Sequence, residues 1–139
     1  LLMEVPGLRP HSGKIYTILS ELYSNALEHG VLGLQSDLKA SADGFARYYL
    51  ERTKKLSDLY AGSVKFHIDH HPVKDGGVLT IVVEDTGPGF DFKAREQASH
   101  KKEGYSGRGI PLIRTMCRSV RYLEPGNKVE VVFDWHVDV

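Results

Sequence analysis

Three short stretches of this chain carry residue types and spacings suited to chemistry. In ELYSNALEHG, residues 21 to 30, Glu21 and Asn25 stand four residues apart. On a helix that spacing puts both side chains on one face. By helical angle both fall on the same flank of an apolar stripe, where a polar head group needs a partner. In VVEDTGPGF, Asp85 follows an apolar run, and a side chain at such a strand end looks into a pocket. Gly87 and Gly89 let the backbone approach a ligand or take positive φ. In GYSGRGIPLI, Gly104, Gly107 and Gly109 precede a helical pattern. Backbone amides at a helix start favour a phosphate, and glycine lets the phosphate approach. This is no P-loop, because no GK[ST] follows, and no dinucleotide fingerprint, because the third glycine and a directly preceding strand are missing. Each stretch also has a plain structural alternative: two solvated polar residues, an Asp-Thr-Gly turn, and a flexible loop with a helix cap.

The elements that must position these residues are legible from periodicity. PGLRPHSG is a loop by its Pro and Gly content. A helix is expected from about Gly13, with Ile15, Ile18, Leu19, Leu22 and Ala26 at helical spacing, ending near His29 and Gly30. After a connector, FARYYLERTKKLSDLYAG reads as a second helix ended by Gly62. Val64, Phe66 and Ile68 alternate with polar residues, which predicts a half-buried strand. KDGG is a turn, and VLTIVV, residues 78 to 83, is a central strand. IPLIRTMCRSV predicts a third helix with Ile110, Ile113, Cys117 and Val120 on one face. RYLEPGNKVEVVFDWHV predicts a hairpin with Val129, Val131, Phe133, Trp135 and Val137 on one side. Helices, strands, a helix and strands in this order predict an α+β two-layer sandwich, a mixed and mostly antiparallel sheet with helices on one face.

The 139 residues suit one domain, 1–139, with a core that needs no staples. Lys plus Arg equals Asp plus Glu at 18 each, which argues against a nucleic-acid partner. Cys117 is the single cysteine, so no internal disulfide forms, and a reducing, cytoplasmic setting is expected. No apolar run approaches the ~20 residues of a membrane span, and no signal peptide is visible. The chain begins at Leu1 rather than Met and is expected to be a piece of a longer protein.

Taken in order, E-x-x-x-N on a helix, then D-x-G-x-G, then G-x-G-I-x-x-I resembles the N box and the two glycine boxes of the GHKL ATPase superfamily. That superfamily includes gyrase, heat-shock protein 90, the mismatch-repair ATPase and the histidine kinases. The NALEHG ending and the short lid, residues 90 to 106, look most like the anti-sigma-factor serine kinases. The resemblance covers residues 21 to 30 and about 78 to 133. It implies a Bergerat-type sandwich that binds ATP and Mg2+. Asn25 would give its side-chain oxygen to the Mg2+, and Glu21 would be the general base for an attacking hydroxyl. Asp85 would accept a hydrogen bond from the adenine amino group. Gly87 and Gly89 would shape the pocket floor. Gly107 and Gly109 would let the helix start meet the phosphates, with Arg108 as the cation near the γ-phosphate. Arg95, Lys101 and Lys102 are weaker lid candidates.

The chain also departs from that family. The first strand and helix of the family are mostly missing before Pro10; in the family that region helps dimerisation, so the oligomeric state stays open between a monomer and a homodimer. Asn127 stands where the family has the Thr of a Gly-Thr touching the adenine pocket. Residues 33 to 61 form a helix-bearing insertion like that of the C-terminal domains of response regulators that also carry a PP2C-type phosphatase domain. His29 matches the family pattern but falls in the apolar stripe, which suits a buried structural histidine. The leading expectation is a protein serine/threonine kinase whose substrate is a small STAS-type anti-sigma-factor antagonist, with a sigma factor as a further partner. A module that senses nucleotide or sequesters a partner without catalysis is the alternative. A histidine-kinase catalytic domain ranks below both, since residues 90 to 106 lack an F-x-P-F stretch. Asp69, His70 and His71 are expected in a solvated turn rather than a metal site. Cys117 is expected to be a core thiol, with one of Tyr48 and Tyr49 buried and the other exposed.

Overall fold

The computed structural model describes residues 2–34, 42–93 and 109–137. Two single-turn 3-10 helices, Leu2–Glu4 and Arg9–His11, lead into helix α1, Ser12–Asn25. Ile15, Ile18 and Leu22 of α1 are buried, at the spacing of one helix face. The helical run ends at Val31, next to the expected stop at Gly30, but its last part is not α-helical. After Asn25 it widens into a π turn, Ala26–Val31. The Leu32 amide reaches back five residues to the Leu27 carbonyl at 2.8 Å. Gly33, with φ 65°, is the glycine that takes the left-handed conformation beyond the turn.

Helix α2 spans Ala42–Ser57 within the insertion. Tyr48 is fully buried and Tyr49 exposed, as expected from their places in the sequence. Tyr48 belongs to a small separate cluster with Leu32 and Leu34, against which Leu27 and Leu56 pack.

The sheet contains β1 Val64–Val73, β2 Gly76–Asp85, β3 Ser119–Leu123 and β4 Lys128–His136, in the order β1-β2-β4-β3. All three pairings are antiparallel. Helix α3, Gly109–Met116, precedes β3. One face of the sheet offers Leu79, Ile81, Val83, Val129, Val131 and Phe133 to Ile15, Ile18, Leu22 and Ile113 of the helices. Burying each such side chain stabilises the fold by about 1.5–3 kcal/mol.

The structure revises four details of the sequence reading. Phe66 and Ile68 are 37% and 36% exposed, although their cross-strand partners Val83 and Ile81 are buried. β1 is an edge strand, and the helical layer covers the centre of the sheet. The segment Asp69 to Pro72 lies inside this strand rather than in a turn, and an edge strand tolerates Pro72. There His70 stacks on Trp135, and Asp69 accepts from His67 at 3.1 Å. Third, α3 stops at Met116, so Val120 enters the core from β3 instead of from a helix. Val137 lies past the end of β4 and is exposed.

Candidate functional site

The site forms where the C-terminal end of β2, the π turn and the β3–β4 turn converge. Asp85 is the last residue of β2, and at 9% exposure it is a carboxylate largely removed from water. Its Oδ1 accepts the Gly87 amide at 2.7 Å, the local turn that aspartate favours. Its Oδ2 takes no hydrogen bond from a described residue. Burial pushes the Asp85 carboxyl above its ordinary 3.8; the Gly87 amide works the other way, and nearby Glu84 adds to the rise.

The π turn presses on this carboxylate. A Cβ on Gly30 would fall on the Asp85 carboxyl group, and one on Gly87 would fall on the Gly30 carbonyl. Only glycine allows these two backbones to close around Asp85. Gly89 has φ 83°, and the next amide, Phe90, donates to the Pro125 carbonyl at 3.1 Å. Phe90 and Phe92 both pack on Tyr122, with ring centres 5.0 and 5.8 Å away. These aromatics anchor the start of the segment after the first glycine box, a role that sequence spacing did not reveal.

Asn127 pairs with Asp85 through the main chain. The Asp85 amide donates to the Asn127 carbonyl at 2.9 Å, and Asn127 Nδ2 donates to the Asp85 carbonyl at 2.9 Å. Asn25 ends α1, half-buried, and its Nδ2 donates to the Glu21 carbonyl at 2.9 Å. That bond fixes the amide with its nitrogen toward the helix and leaves Oδ1 as the outward atom, the kind of oxygen a hard cation takes. Glu21 is half-buried one turn earlier.

His29 is half-buried within the π turn, and its Nδ1 bonds the Leu34 carbonyl at 2.7 Å. Cys117 packs against the core, and burial pushes its thiol up to about 11. Gly109 opens α3. Gly104, Gly107, Arg108, Arg95, Lys101 and Lys102 lie outside the described residues. Among the described residues no His, Cys, Asp and Glu cluster could hold a metal by itself. Sequence reasoning missed Glu28, a buried carboxylate that accepts from Tyr48. Its position beside Asn25 is the one signal that could have drawn notice.

A buried carboxylate with one oxygen that takes no hydrogen bond from a described residue, glycines closed around it, and an amide oxygen at a helix end five residues before Gly30 suit a nucleotide better than a plain turn. A family model for the histidine kinase-like ATPase domain matches residues 10–133. The chain belongs to that family. No curated protein and no solved structure gives a significant match. ATP binding comes with the family, and the helical layer on an antiparallel sheet is its expected α+β fold. No helix of the described residues is long and apolar enough to cross a membrane.

Proposed function

We propose that the domain is a Mg-ATP-dependent protein serine/threonine kinase of the anti-sigma-factor type. Its substrate would be a hydroxyl of a small STAS-type antagonist, and a sigma factor would be a further partner. One observation carries the reading. Glu21 and Asn25 sit one turn apart, and the helix that bears them runs directly into the turn that closes on Asp85. A base, a cation ligand and an adenine acceptor are thereby tied to one continuous element.

The chain's residues divide the work. Asp85 Oδ2 accepts from the adenine amino group, while the Gly87 amide holds Oδ1. Gly87 and Gly89 form the pocket floor, and Asn127 holds the Asp85 main chain in place. Asn25 Oδ1 would be the protein ligand that holds Mg2+. When bound, that ion neutralises phosphate charge, the main need of phosphoryl transfer. The amides around Gly107 and Gly109 receive the phosphates, and Arg108 supplies the cation near the γ-phosphate. Glu21 accepts the proton of the attacking serine or threonine hydroxyl. The hydroxyl oxygen bonds the γ-phosphorus, the bond to the β-phosphate oxygen breaks, and ADP leaves.

The test is transfer of labelled γ-phosphate from ATP to a STAS-domain protein, alongside calorimetric Mg-ATP binding. Glu21→Gln is expected to bind Mg-ATP like wild type and transfer nothing, whereas Asp85→Asn loses binding. Transfer by Glu21→Gln at the wild-type rate would remove Glu21 as the base. Mg-ATP binding without transfer to any STAS-domain protein would favour a nucleotide-sensing or partner-sequestering module.

A further inference from the structure

We infer that the Tyr48–Glu28 pair, by which α2 grips the π turn, is a positioning device that sets Gly30 against the Asp85 carboxylate and so tunes adenine recognition. The inference rests on the nucleotide reading above and deepens it.

Glu28 is 7% exposed, in the middle of the π turn. A buried carboxylate is unfavourable unless partners compensate it. Two of its partners come from α2. Tyr48 Oη donates to Glu28 Oε1, and Arg52 Nε stands 3.8 Å from Oε2. Tyr48 is itself fully buried, and desolvation together with the Glu28 bond pushes its hydroxyl well above the ordinary tyrosine range. Its proton therefore stays on, which keeps it a donor.

The location of this pair argues against simple stapling. Among the described residues, the main core contains no residue of α2. The helix meets the fold through the separate cluster of Leu32, Leu34 and Tyr48, at the end of the same π turn. The Glu28 carbonyl accepts the Leu34 amide at 2.8 Å, so both its side chain and main chain are fixed. Gly30 follows two residues later and touches the Asp85 carboxyl group, and its carbonyl lies against Gly87. A displacement of Glu28 has little backbone in which to dissipate before it reaches Asp85. A π turn is also a rare local geometry and depends on its surroundings to persist.

The test compares Tyr48→Phe, Glu28→Leu and Glu28→Gln with wild type in Mg-ATP and Mg-GTP affinity, thermal stability and hydrogen exchange at the Gly87 amide. Tyr48→Phe and Glu28→Leu are expected to weaken Mg-ATP about tenfold, the scale of one lost buried hydrogen bond. Because the Asp85 acceptor is what shifts, the preference for ATP over GTP should fall with it. Exchange at Gly87, whose amide donates to Asp85, should quicken without nucleotide. Glu28→Gln keeps an oxygen that accepts from Tyr48 and should retain most of the affinity and the preference. Folded Tyr48→Phe and Glu28→Leu proteins with wild-type Gly87 exchange, affinity and ATP preference would overturn the inference, whatever their melting temperatures. A wild type that binds neither nucleotide, with Gly87 exchange still responding to Tyr48→Phe, would uphold the coupling and remove the nucleotide reading instead.

Discussion

Asp85 and Asn127 hold each other by two hydrogen bonds, amide to carbonyl and side-chain Nδ2 to carbonyl, each 2.9 Å long. The β2–β4 ladder ends at Glu84 and Lys128, so this pair extends it one step to the edge of the site. Asn127 is thus a clamp on the residue proposed to accept from adenine. Asn127→Ala is expected to lower stability by about 0.5–1.5 kcal/mol, one net hydrogen bond. Mg-ATP affinity should fall several-fold, because the Asp85 backbone gains freedom. Calorimetry and thermal unfolding of the same samples separate the two effects. A lower melting temperature with unchanged affinity would leave Asn127 a purely structural residue.

In the proposed adenine role, the Asp85 carboxyl would make opposite demands on folding and binding. Its folded pKa is raised above 3.8 by burial. A raised carboxyl contributes stability that is fully present below 3.8 and is lost as pH rises through the raised value. At neutral pH the ionised group is therefore a burden on the apo fold. Asp85→Asn should raise apo stability by about 0.5–2 kcal/mol, as removal of function-driven strain commonly does. The same substitution should abolish Mg-ATP binding. In wild type the acceptor needs its charge, so affinity should weaken on acidification, starting above the ordinary carboxylate range. A flat affinity profile down to pH 3.8 would show that Asp85 does not contact the ligand.

Cys117 should be inert in the folded protein. Its thiol is pushed from 9.0 to about 11 by burial, so the native fold gains stability below 9.0 that is lost as pH rises through about 11. At pH 8 that rise lowers the thiolate share about hundredfold, and alkylation should slow by about that factor relative to an unfolded control in urea. Equal rates in folded and unfolded chains would mean that the α3–β3 junction opens readily.

The central strands and α1 were legible because one face of each is buried, and burial writes a period into the sequence. Leu79, Ile81 and Val83 carry that signal for β2, as do Ile15, Ile18 and Leu22 for α1. The pattern misled where only part of an element meets the core. Phe66 and Ile68 alternate correctly yet sit on an outer strand beyond the helical layer. Val120 keeps helical phase with Ile113 by coincidence, while the chain has already turned into β3. At the candidate site, Asp85, Gly87 and Asn25 stood out because carboxylate, amide and glycine types are restrictive in combination. The π turn was not, since five-residue hydrogen bonding leaves no compositional mark. Glu28 went unseen for the same reason: its burial depends on Tyr48, which arrives from α2 twenty residues later in the chain.

Gly30 offers the sharpest test of how closely the site is assembled. A Cβ at this position would overlap the Asp85 carboxyl group. Alanine is an ordinary helix residue, and it would be a favourable replacement if local propensity alone decided. Here the methyl group has to displace either the carboxylate or the π turn. Overpacking of this kind costs about 1–3 kcal/mol. Gly30→Ala is therefore expected to lower stability by that amount and to weaken Mg-ATP binding more than Asn127→Ala does. If the turn yields rather than the carboxylate, the His29–Leu34 bond breaks and the His29 ring resonances shift in NMR spectra. If the carboxylate yields, those resonances hold while Gly87 amide exchange accelerates. A Gly30→Ala protein with wild-type stability and wild-type affinity would refute the close packing of the π turn on Asp85, and with it the link between α1 and the proposed adenine pocket.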